Sequence, residues 1–246
     1  MPPSSLRKRS GRLLRFARRL GRAGLVAIGA SVALSMFTIV ALRWVTPPTT
    51  AFMVQHRLSA WWTGTAGPPA RHRWVNWTDI NPELALAVVA AEDQRFPEHH
   101  GLDFEAIRDA FAERFNGGRL RGASTISQQV SKNLFLWPGR SFVRKGLEGS
   151  LTVMVEMVWS KRRILEVYLN VVEFGEGVYG VGAASETFFA LPPSRIDREQ
   201  AALLAAVLPA PRRLNVLAPS SYVRSRQNWI LAQMVLLGGT SYLSGL

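Results

Sequence analysis

An uninterrupted apolar stretch near the N-terminus constrains this chain more than any other feature. Residues Ala23 to Leu42 carry no charged side chain, and a helix of this length reaches about 30 Å, the thickness of a bilayer core. The sequence therefore predicts one membrane-spanning helix over residues 23–42. A cleavable signal peptide usually has a shorter apolar region that ends in small residues, whereas this one ends in Leu42-Arg43-Trp44.

Positive charge before the span indicates its orientation. Residues 1–22 contain eight arginine and lysine side chains and no acidic one, so the positive-inside rule predicts a basic cytoplasmic arm. These eight charges supply most of the net charge of +13, and the high isoelectric point therefore reflects topology. We expect a single-pass protein of the inner (cytoplasmic) membrane, with its remaining chain outside the cytoplasm and no nucleic-acid partner.

Proline, glycine and apolar periodicity predict the organisation of the remaining chain. Pro47-Pro48 and Pro68-Pro69 indicate a stalk over residues 43–73, followed by a globular domain over residues 74–246. Helical periodicity and scarce strand-like alternation predict that this domain is mainly α. Helices are expected at about residues 82–95, 103–116, 124–134, 141–159, 161–172 and 197–208.

Glu92 is the first candidate for a chemical role. It continues a run of apolar residues at i, i+3 and i+4 of the first of these helices, so it is expected at the end of an inward face. Burial raises the pKa of a carboxyl group toward the range of a general base. An ion pair with Arg95, three residues later, is an equal alternative.

A polar block opens the helix expected at residues 124–134. Ser124 is predicted to cap this helix, whose first backbone N–H groups are then free. Its polar side chains recur one turn apart, which suits an anionic, hydroxyl-rich ligand better than a solvated surface. The candidate binding residues are Ser124, Thr125, Gln128, Gln129, Lys132 and Asn133.

A second group of charges lies among apolar residues. Arg144 and Lys145 precede Glu148 by four and three residues, a spacing that simple ion pairing would explain. Arg140 and the nearby Trp137 extend the group, and apolar residues beside cations suit a membrane-borne anion.

Taken in order, these motifs resemble those of the peptidoglycan glycosyltransferases, in particular the monofunctional biosynthetic transglycosylases. The first and second family motifs are matched by Glu92-Asp93, Phe96, His99 and Gly101, and by Gly122, Ser124-Thr125-Ile126, Gln128-Gln129 and Lys132-Asn133. The third and fourth are matched by Arg144-Lys145 and Glu148, and by Lys161-Arg162-Arg163 through Asn170 to Gly175, Gly180 and Ser185. The resemblance covers the chain from about Trp74 onward and departs at Asn215-Val216, where many bifunctional members have asparagine-proline.

The resemblance implies a lysozyme-like α fold with a smaller membrane-proximal jaw. It also implies polymerisation of lipid II into β-1,4-linked glycan strands, with inversion at the anomeric carbon and release of undecaprenyl pyrophosphate. A transpeptidase module is excluded by length. Lipid II, the growing lipid-linked strand and the membrane are the expected partners, together with proteins of cell-wall synthesis or division.

Roles for individual residues also follow from the resemblance. Glu92 would take the proton of the acceptor hydroxyl, and Lys132 and Arg140 would contact phosphate, with Arg144 and Lys145 as further candidates. Glu148 would be the second essential acid. It would orient the cations, hold a divalent cation such as Mg²⁺ or Mn²⁺ on the pyrophosphate, or stabilise positive charge at the anomeric carbon. No obligatory cofactor is expected. The polar residues from Ser124 to Asn133 would hold sugars or phosphates.

Two other functions fit parts of the pattern. A lytic enzyme of similar fold would also place a glutamate at a helix end, but it has no pyrophosphate to neutralise. The cations from Lys132 to Lys145 would then be idle. A catalytically silent membrane scaffold of the cell-wall machinery would be expected to have lost an acid or a cation, yet each position that matches the family's catalytic set is present.

Overall fold

The N-terminal part of the chain is one long helix. The computed structural model describes residues 4–63, 68–115, 124–139 and 141–246, and the chain divides into two compact units, Met1–Trp44 and Val45–Leu246. The first unit contains α1 (Ser4–Leu42). Within α1, Gly21–Leu42 has a mean hydropathy of 2.3 and is long and apolar enough to cross a membrane. Most of its apolar side chains are exposed, as lipid contact requires.

The second unit is built mainly of helices, which confirms the predicted fold class. In chain order they are α2 (Ala51–Thr63), α3 (Pro82–Glu92), α4 (Phe104–Phe115), α5 (Ile126–Phe135), α6 (Phe142–Val158), α7 (Lys161–Val171), α8 (Gly180–Phe189), α9 (Arg198–Val207) and α10 (Ser221–Leu236). The short strands β1 (Arg71–His72), β2 (Glu173–Gly175) and β3 (Val178–Tyr179) form one sheet. Its order is β1-β3-β2, with β1 parallel and β2 antiparallel to β3.

Helix α3 lies in the core of this unit. The Asn81 side chain caps its first turn by accepting from Glu83 N at 3.0 Å, and proline occupies the first helical position. All residues from Leu84 to Ala90 are buried, because α9 and α10 pack against α3. Glu92 is therefore the last residue of a helix that is buried on all sides, and not only on the one apolar face that the sequence suggested.

Two helix ends at the motifs differ from the sequence prediction. Helix α3 ends at Glu92 and not near residue 95, because Asp93 leaves helical geometry with φ −162° and ψ 77°. Helix α5 is capped by Thr125 and not by Ser124, so the predicted cap is wrong. The Thr125 hydroxyl accepts from Gln128 N, and the Gln128 side chain accepts from Thr125 N in return.

The segment expected to be a stalk contains a helix. Residues 43–73 include α2, and the second compact unit begins at Val45. Helix α2 packs against α5, and Gln55 Nε2 donates to the carbonyl oxygen of Leu136 at 3.1 Å. The globular region therefore begins earlier than the boundary that the prolines suggested at residue 74.

Two apolar runs near the candidate cations, residues 134–137 and 151–159, are divided between core and surface. Trp137 is 48% exposed, whereas the leucines before it are buried. On α6, Val155 is fully buried and Met157 is 75% exposed. Within these two runs, the most exposed side chains are Trp137 and those on the outer side of α6.

Gly182 on α8 allows a close approach of two backbone segments. A Cβ atom at this position would lie 2.3 Å from the carbonyl oxygen of Arg73. We expect Gly182→Ala to destabilise the protein by about 1–3 kcal/mol, because a backbone atom cannot move aside as a side chain can. Gly146→Ala is the matched control on an exposed helix surface, where a new Cβ meets nothing within 4 Å. It should stabilise by about 0.5–1 kcal/mol. Thermal unfolding tests both, and equal midpoints would contradict the close approach.

Candidate active site

Glu92 is held at the end of α3 by groups from three other helices. Its side chain is 15% exposed. Gln129 Nε2 of α5 donates to Oε2 at 2.9 Å, and Arg226 Nη2 of α10 lies 3.4 Å from Oε1. The Tyr168 hydroxyl of α7 donates to Gln129 Oε1 at 3.1 Å. This last bond fixes the Gln129 amide so that its nitrogen points to the carboxylate.

Burial raises the pKa of Glu92 above its ordinary value. The hydrogen bond from Gln129 and the charges of Arg226 and Lys132 oppose this effect without reversing it. A carboxylate in such surroundings gains more from accepting a proton than an exposed one does. Glu92 is therefore suited to general base chemistry.

Glu92 and Arg95, both described by the structure, do not form the ion pair that was the alternative explanation for Glu92. Arg95 Nε donates to Glu98 Oε2 at 3.0 Å, and its Nη1 bonds to Glu105. Because α3 ends at Glu92, Arg95 is no longer on the helix and its side chain reaches α4 instead.

Asp93, the second acid of the motif, joins the end of α3 to the start of α5. Its Oδ2 accepts from Ile126 N at 2.9 Å, and His99 Nε2 lies 2.9 Å from Oδ1. A carboxylate at a helix N-terminus is stabilised by the free N–H groups and the helix dipole. One backbone donor that the sequence suggested for a ligand is thus used by Asp93.

Two of the polar residues expected to bind a ligand are used within the fold. Thr125 and Gln128 cap α5 through each other, and the Thr125 hydroxyl also donates to the carbonyl oxygen of Gly101 at 2.6 Å. Both side chains are buried. Gln129 and Lys132 of the same helix instead lie near Glu92.

A cavity of about 220 Å³ lies beside Glu92. Its lining residues are Glu92, Asp93, Gln94, Arg95, Asp103, Ala106, Ser124 and Thr125. Ser124 is exposed and lines this cavity. Although it does not cap α5, it is therefore positioned to contact a molecule bound near Glu92.

Lys132 lies in the field of two acidic residues. Burial lowers the pKa of its ammonium group, and the charges of Glu148 and Glu92 partly offset this effect. Its Nζ lies 5.9 Å from the centre of the Phe52 ring on α2. A cation that is shielded from water binds an incoming anion more strongly than an exposed one.

Glu148 forms the ion pairs that its helical spacing suggested. Its side chain is 3% exposed, with Arg144 Nη1 at 2.9 Å from Oε2 and Lys145 Nζ at 2.5 Å from Oε1. Arg144 Nε is buried and has no hydrogen-bond partner among the described residues. Arg140 lies outside those residues. Two cations and one acid leave a net positive charge in the group.

The residues around Glu148 do not fit a resident metal ion. Both of its carboxylate oxygens accept from cationic side chains. In the part of the chain that the structure describes, no cluster of three or more histidine, cysteine, aspartate or glutamate side chains is arranged to hold one.

Sequence reasoning did not identify Arg226 and Tyr168 as members of this site. Tyr168 lies inside the fourth motif, but nothing in the sequence indicated a contact with Gln129. Its ring is fully buried in the structure, and its hydroxyl bonds to Gln129. Arg226 lies on α10, far along the chain from the motifs, and nothing in the sequence indicated that it would reach Glu92.

Comparison with known proteins agrees with this arrangement. A sequence profile described as Transglycosylase matches residues 62–235. A protein of Salmonella schwarzengrund (strain CVM19633) named biosynthetic peptidoglycan transglycosylase is 54% identical over 234 residues, which cover 94% of this chain and 95% of that protein. A protein of the same name from Cronobacter sakazakii (strain ATCC BAA-894) is 52% identical over 239 residues, which cover 96% and 97%. The chain therefore belongs to the transglycosylase family.

Proposed function

We propose that the protein is a peptidoglycan glycosyltransferase that polymerises lipid II into β-1,4-linked glycan strands. One observation carries this proposal: the buried carboxylate of Glu92, with its raised pKa, lies in the field of the shielded cation Lys132. A glycosidase needs an acid to protonate its leaving alkoxide, whereas pyrophosphate leaves as a stable anion whose charge must be matched. The name shared by the relatives, biosynthetic peptidoglycan transglycosylase, supports the same reaction.

Glu92 is the general base of the proposed reaction. The 4-hydroxyl oxygen of the acceptor sugar bonds to the anomeric carbon of the donor, and the bond from that carbon to the phosphate oxygen breaks. The hydroxyl proton passes to Glu92, and attack opposite the leaving group inverts the α linkage to β. Gln129 and Arg226 orient the carboxylate, whose oxygens retain further lone pairs for the proton.

Lys132 and the cations around Glu148 neutralise the departing undecaprenyl pyrophosphate. Lys132 acts as a shielded point charge, and the planar Arg144 guanidinium suits phosphate oxygens. Lys145 adds charge next to Arg144. Arg140, which lies outside the described residues, is assigned the same role on the family resemblance.

Ser124 and Asn133 are the proposed contacts for sugar or phosphate groups; Gln129 is not, because its amide already bonds to Glu92 and Tyr168. Ser124 lines the cavity beside Glu92, and Asn133 follows Lys132 on α5. We leave out Thr125 and Gln128, because their side chains cap that helix.

We assign Glu148 to the orientation of Arg144 and Lys145 rather than to a metal ion. A divalent cation would have to displace both side chains from the carboxylate, at the cost of two charge-assisted hydrogen bonds. Without Glu148, the two cations would lose their common partner and repel each other.

Chelation of divalent metals is expected to leave most of the polymerisation activity intact. The positive charges that neutralise pyrophosphate belong to the chain itself, so EDTA removes none of them. The rate of lipid II consumption would be measured with EDTA and, as control, with EDTA saturated by Mg²⁺. A large loss that only the saturated chelator prevents would contradict the role given to Glu148.

We further infer that α1 anchors the protein in the cytoplasmic membrane with its N-terminus inside the cell. The apolar length of Gly21–Leu42 and the eight cations before it support this topology. On the outer side of α6, Phe142 is 99% and Val143 is 73% exposed. This apolar surface of α6 is the proposed lipid contact, and it would belong to the membrane-proximal jaw that the family resemblance implies.

Polymerisation of labelled lipid II by the purified protein tests the function. The products would be separated by length and treated with muramidase, which cleaves glycan strands. We expect muramidase-sensitive strands from the wild-type protein. Unchanged lipid II across detergents would favour the silent scaffold, and degradation of finished strands would favour the lytic enzyme.

A further inference from the structure

An exposed aromatic surface on α10 continues from the candidate site. Tyr222 is 56% and Trp229 is 43% exposed, and their spacing of seven residues places them about 10.5 Å apart along the same side of the helix. Arg226, which contacts Glu92, lies between them at four and three residues' distance. Both aromatic rings therefore flank the side chain that connects α10 to the proposed base.

A pair of amide side chains connects the cavity beside Glu92 with this surface. Gln94 lines that cavity, and its Nε2 donates to Gln233 Oε1 of α10 at 3.1 Å. Gln233 lies one helical turn after Trp229. The Tyr242 hydroxyl donates to the carbonyl oxygen of Gln94 at 2.6 Å and so holds the backbone of Gln94 in position.

The two amides retain groups that can bind hydroxyls. Gln233 Nε2 and Gln94 Oε1 make no hydrogen bond to any residue that the structure describes. One is a donor and the other an acceptor. Exposed aromatic rings beside free amide groups suit a saccharide, which has apolar ring faces and hydroxyl edges.

The charge of α10 is compatible with the same ligand. The helix contains no acidic residue, and Arg226, between the two rings, pairs with Glu92. A peptidoglycan strand bears carboxylates on its stem peptides, and no charge on this helix repels them.

We propose that Tyr222, Trp229 and Gln233, which we call the α10 aromatic surface, bind the glycan strand beyond the reacting sugars. This inference rests on the proposed function and adds a binding region to it. The separation of the two rings is comparable with the length of a disaccharide, so that each ring contacts one repeat of the strand. Retention of the strand here lets successive additions occur before release.

Binding of the soluble peptidoglycan tetrasaccharide, released from finished strands by muramidase, tests this surface directly. The affinity of the full-length protein in detergent would be measured for wild type, Trp229→Ala, Trp229→Phe and Val235→Ala. Val235 is a matched control, because it is 64% exposed on the same helix but points away from Arg226. We expect about tenfold weaker binding for Trp229→Ala, equivalent to about 1.4 kcal/mol. Trp229→Phe keeps an aromatic face, and it and the control should stay close to wild type.

Strand length provides a second readout. Trp229→Ala and Tyr222→Ala should each give shorter strands than wild type, because a weaker contact shortens the residence time of the product. Tyr222→Ala also keeps the proposal testable if the tryptophan variant does not fold. Each variant would be assayed for folding by thermal unfolding.

The outcomes separate this inference from the proposed function. If wild type makes strands and neither variant changes the tetrasaccharide affinity or strand length, the aromatic surface is not a glycan site and the enzyme assignment stands. If wild type makes no strands, the proposed function fails whatever the affinities are. Unchanged tetrasaccharide affinity with altered vesicle binding or oligomeric state would assign the surface to the membrane or to a second copy, and would overturn the proposal.

Discussion

Replacing Glu92 with glutamine is expected to lower the rate of lipid II polymerisation by about 10²- to 10⁴-fold, the range contributed by a general base. Glutamine keeps the size of the side chain but has no basic oxygen for the acceptor proton. The rate would be measured from consumption of labelled lipid II under single-addition conditions. Glu98→Gln is the matched control, because Glu98 is 55% exposed and does not itself line the cavity. Full activity of the Glu92 variant would exclude Glu92 as the base, and an equal loss in the control would mean that the effect is not specific to Glu92.

The same variant should remain at least as stable as the wild type at neutral pH. Since burial raises the pKa of Glu92, the native chain keeps a proton at pH values where the unfolded chain has released it. Stability therefore falls as pH rises from the ordinary carboxyl pKa through the raised one, and the penalty persists above that window. Glutamine does not ionise and removes this dependence. A lower unfolding midpoint for the variant at neutral pH would mean that the pairing with Arg226 outweighs burial.

Lys132→Ala is expected to lower the turnover rate by about 10²- to 10³-fold, as the loss of one pre-positioned charge at a reacting centre does. The pyrophosphate would then leave without the shielded cation of α5. The exposed Arg108→Ala on α4 controls for a general loss of positive charge. If both variants lose activity equally, the effect of Lys132 is not local.

A pH profile distinguishes the charge of Lys132 from its shape. Because burial lowers the pKa of its ammonium group, the wild-type rate should decline at alkaline pH before an exposed lysine would lose its proton. Lys132→Arg carries a guanidinium that stays charged over this range, so its residual activity should not show the decline. An identical decline in both proteins would assign it to another group.

Glu92, Lys132 and Glu148 could be proposed as site residues from the sequence because a motif residue keeps its chemical type whatever the fold. The sequence could not predict which polar residues the fold itself consumes. Thr125 and Gln128 were expected to bind a ligand, yet their mutual capping of α5 satisfies them. Arg226 was missed because only the packing of α10 against α3 brings it to Glu92.

The mainly helical class followed from apolar periodicity, whereas several individual helices did not. Helix α8 begins with Gly180 and Gly182, which are normally read as helix breakers. They are required there because Cβ atoms would lie 2.4 Å from the carbonyl oxygen of Asn170 and 2.3 Å from that of Arg73. Helix α10 places Tyr222 and Trp229 toward solvent, so its sequence lacks the apolar face that marks an ordinary surface helix.

Helix α2 determines where a soluble version of this protein can be cut. A truncation at residue 74 would use the domain boundary that the prolines suggested. It would remove Phe52, whose ring lies near Lys132, and Gln55, which bonds to Leu136. Such a fragment could fold around α3 and still misreport the strength of inhibitors that mimic the pyrophosphate. A screening protein without its anchor should therefore retain the chain from Val45 onward.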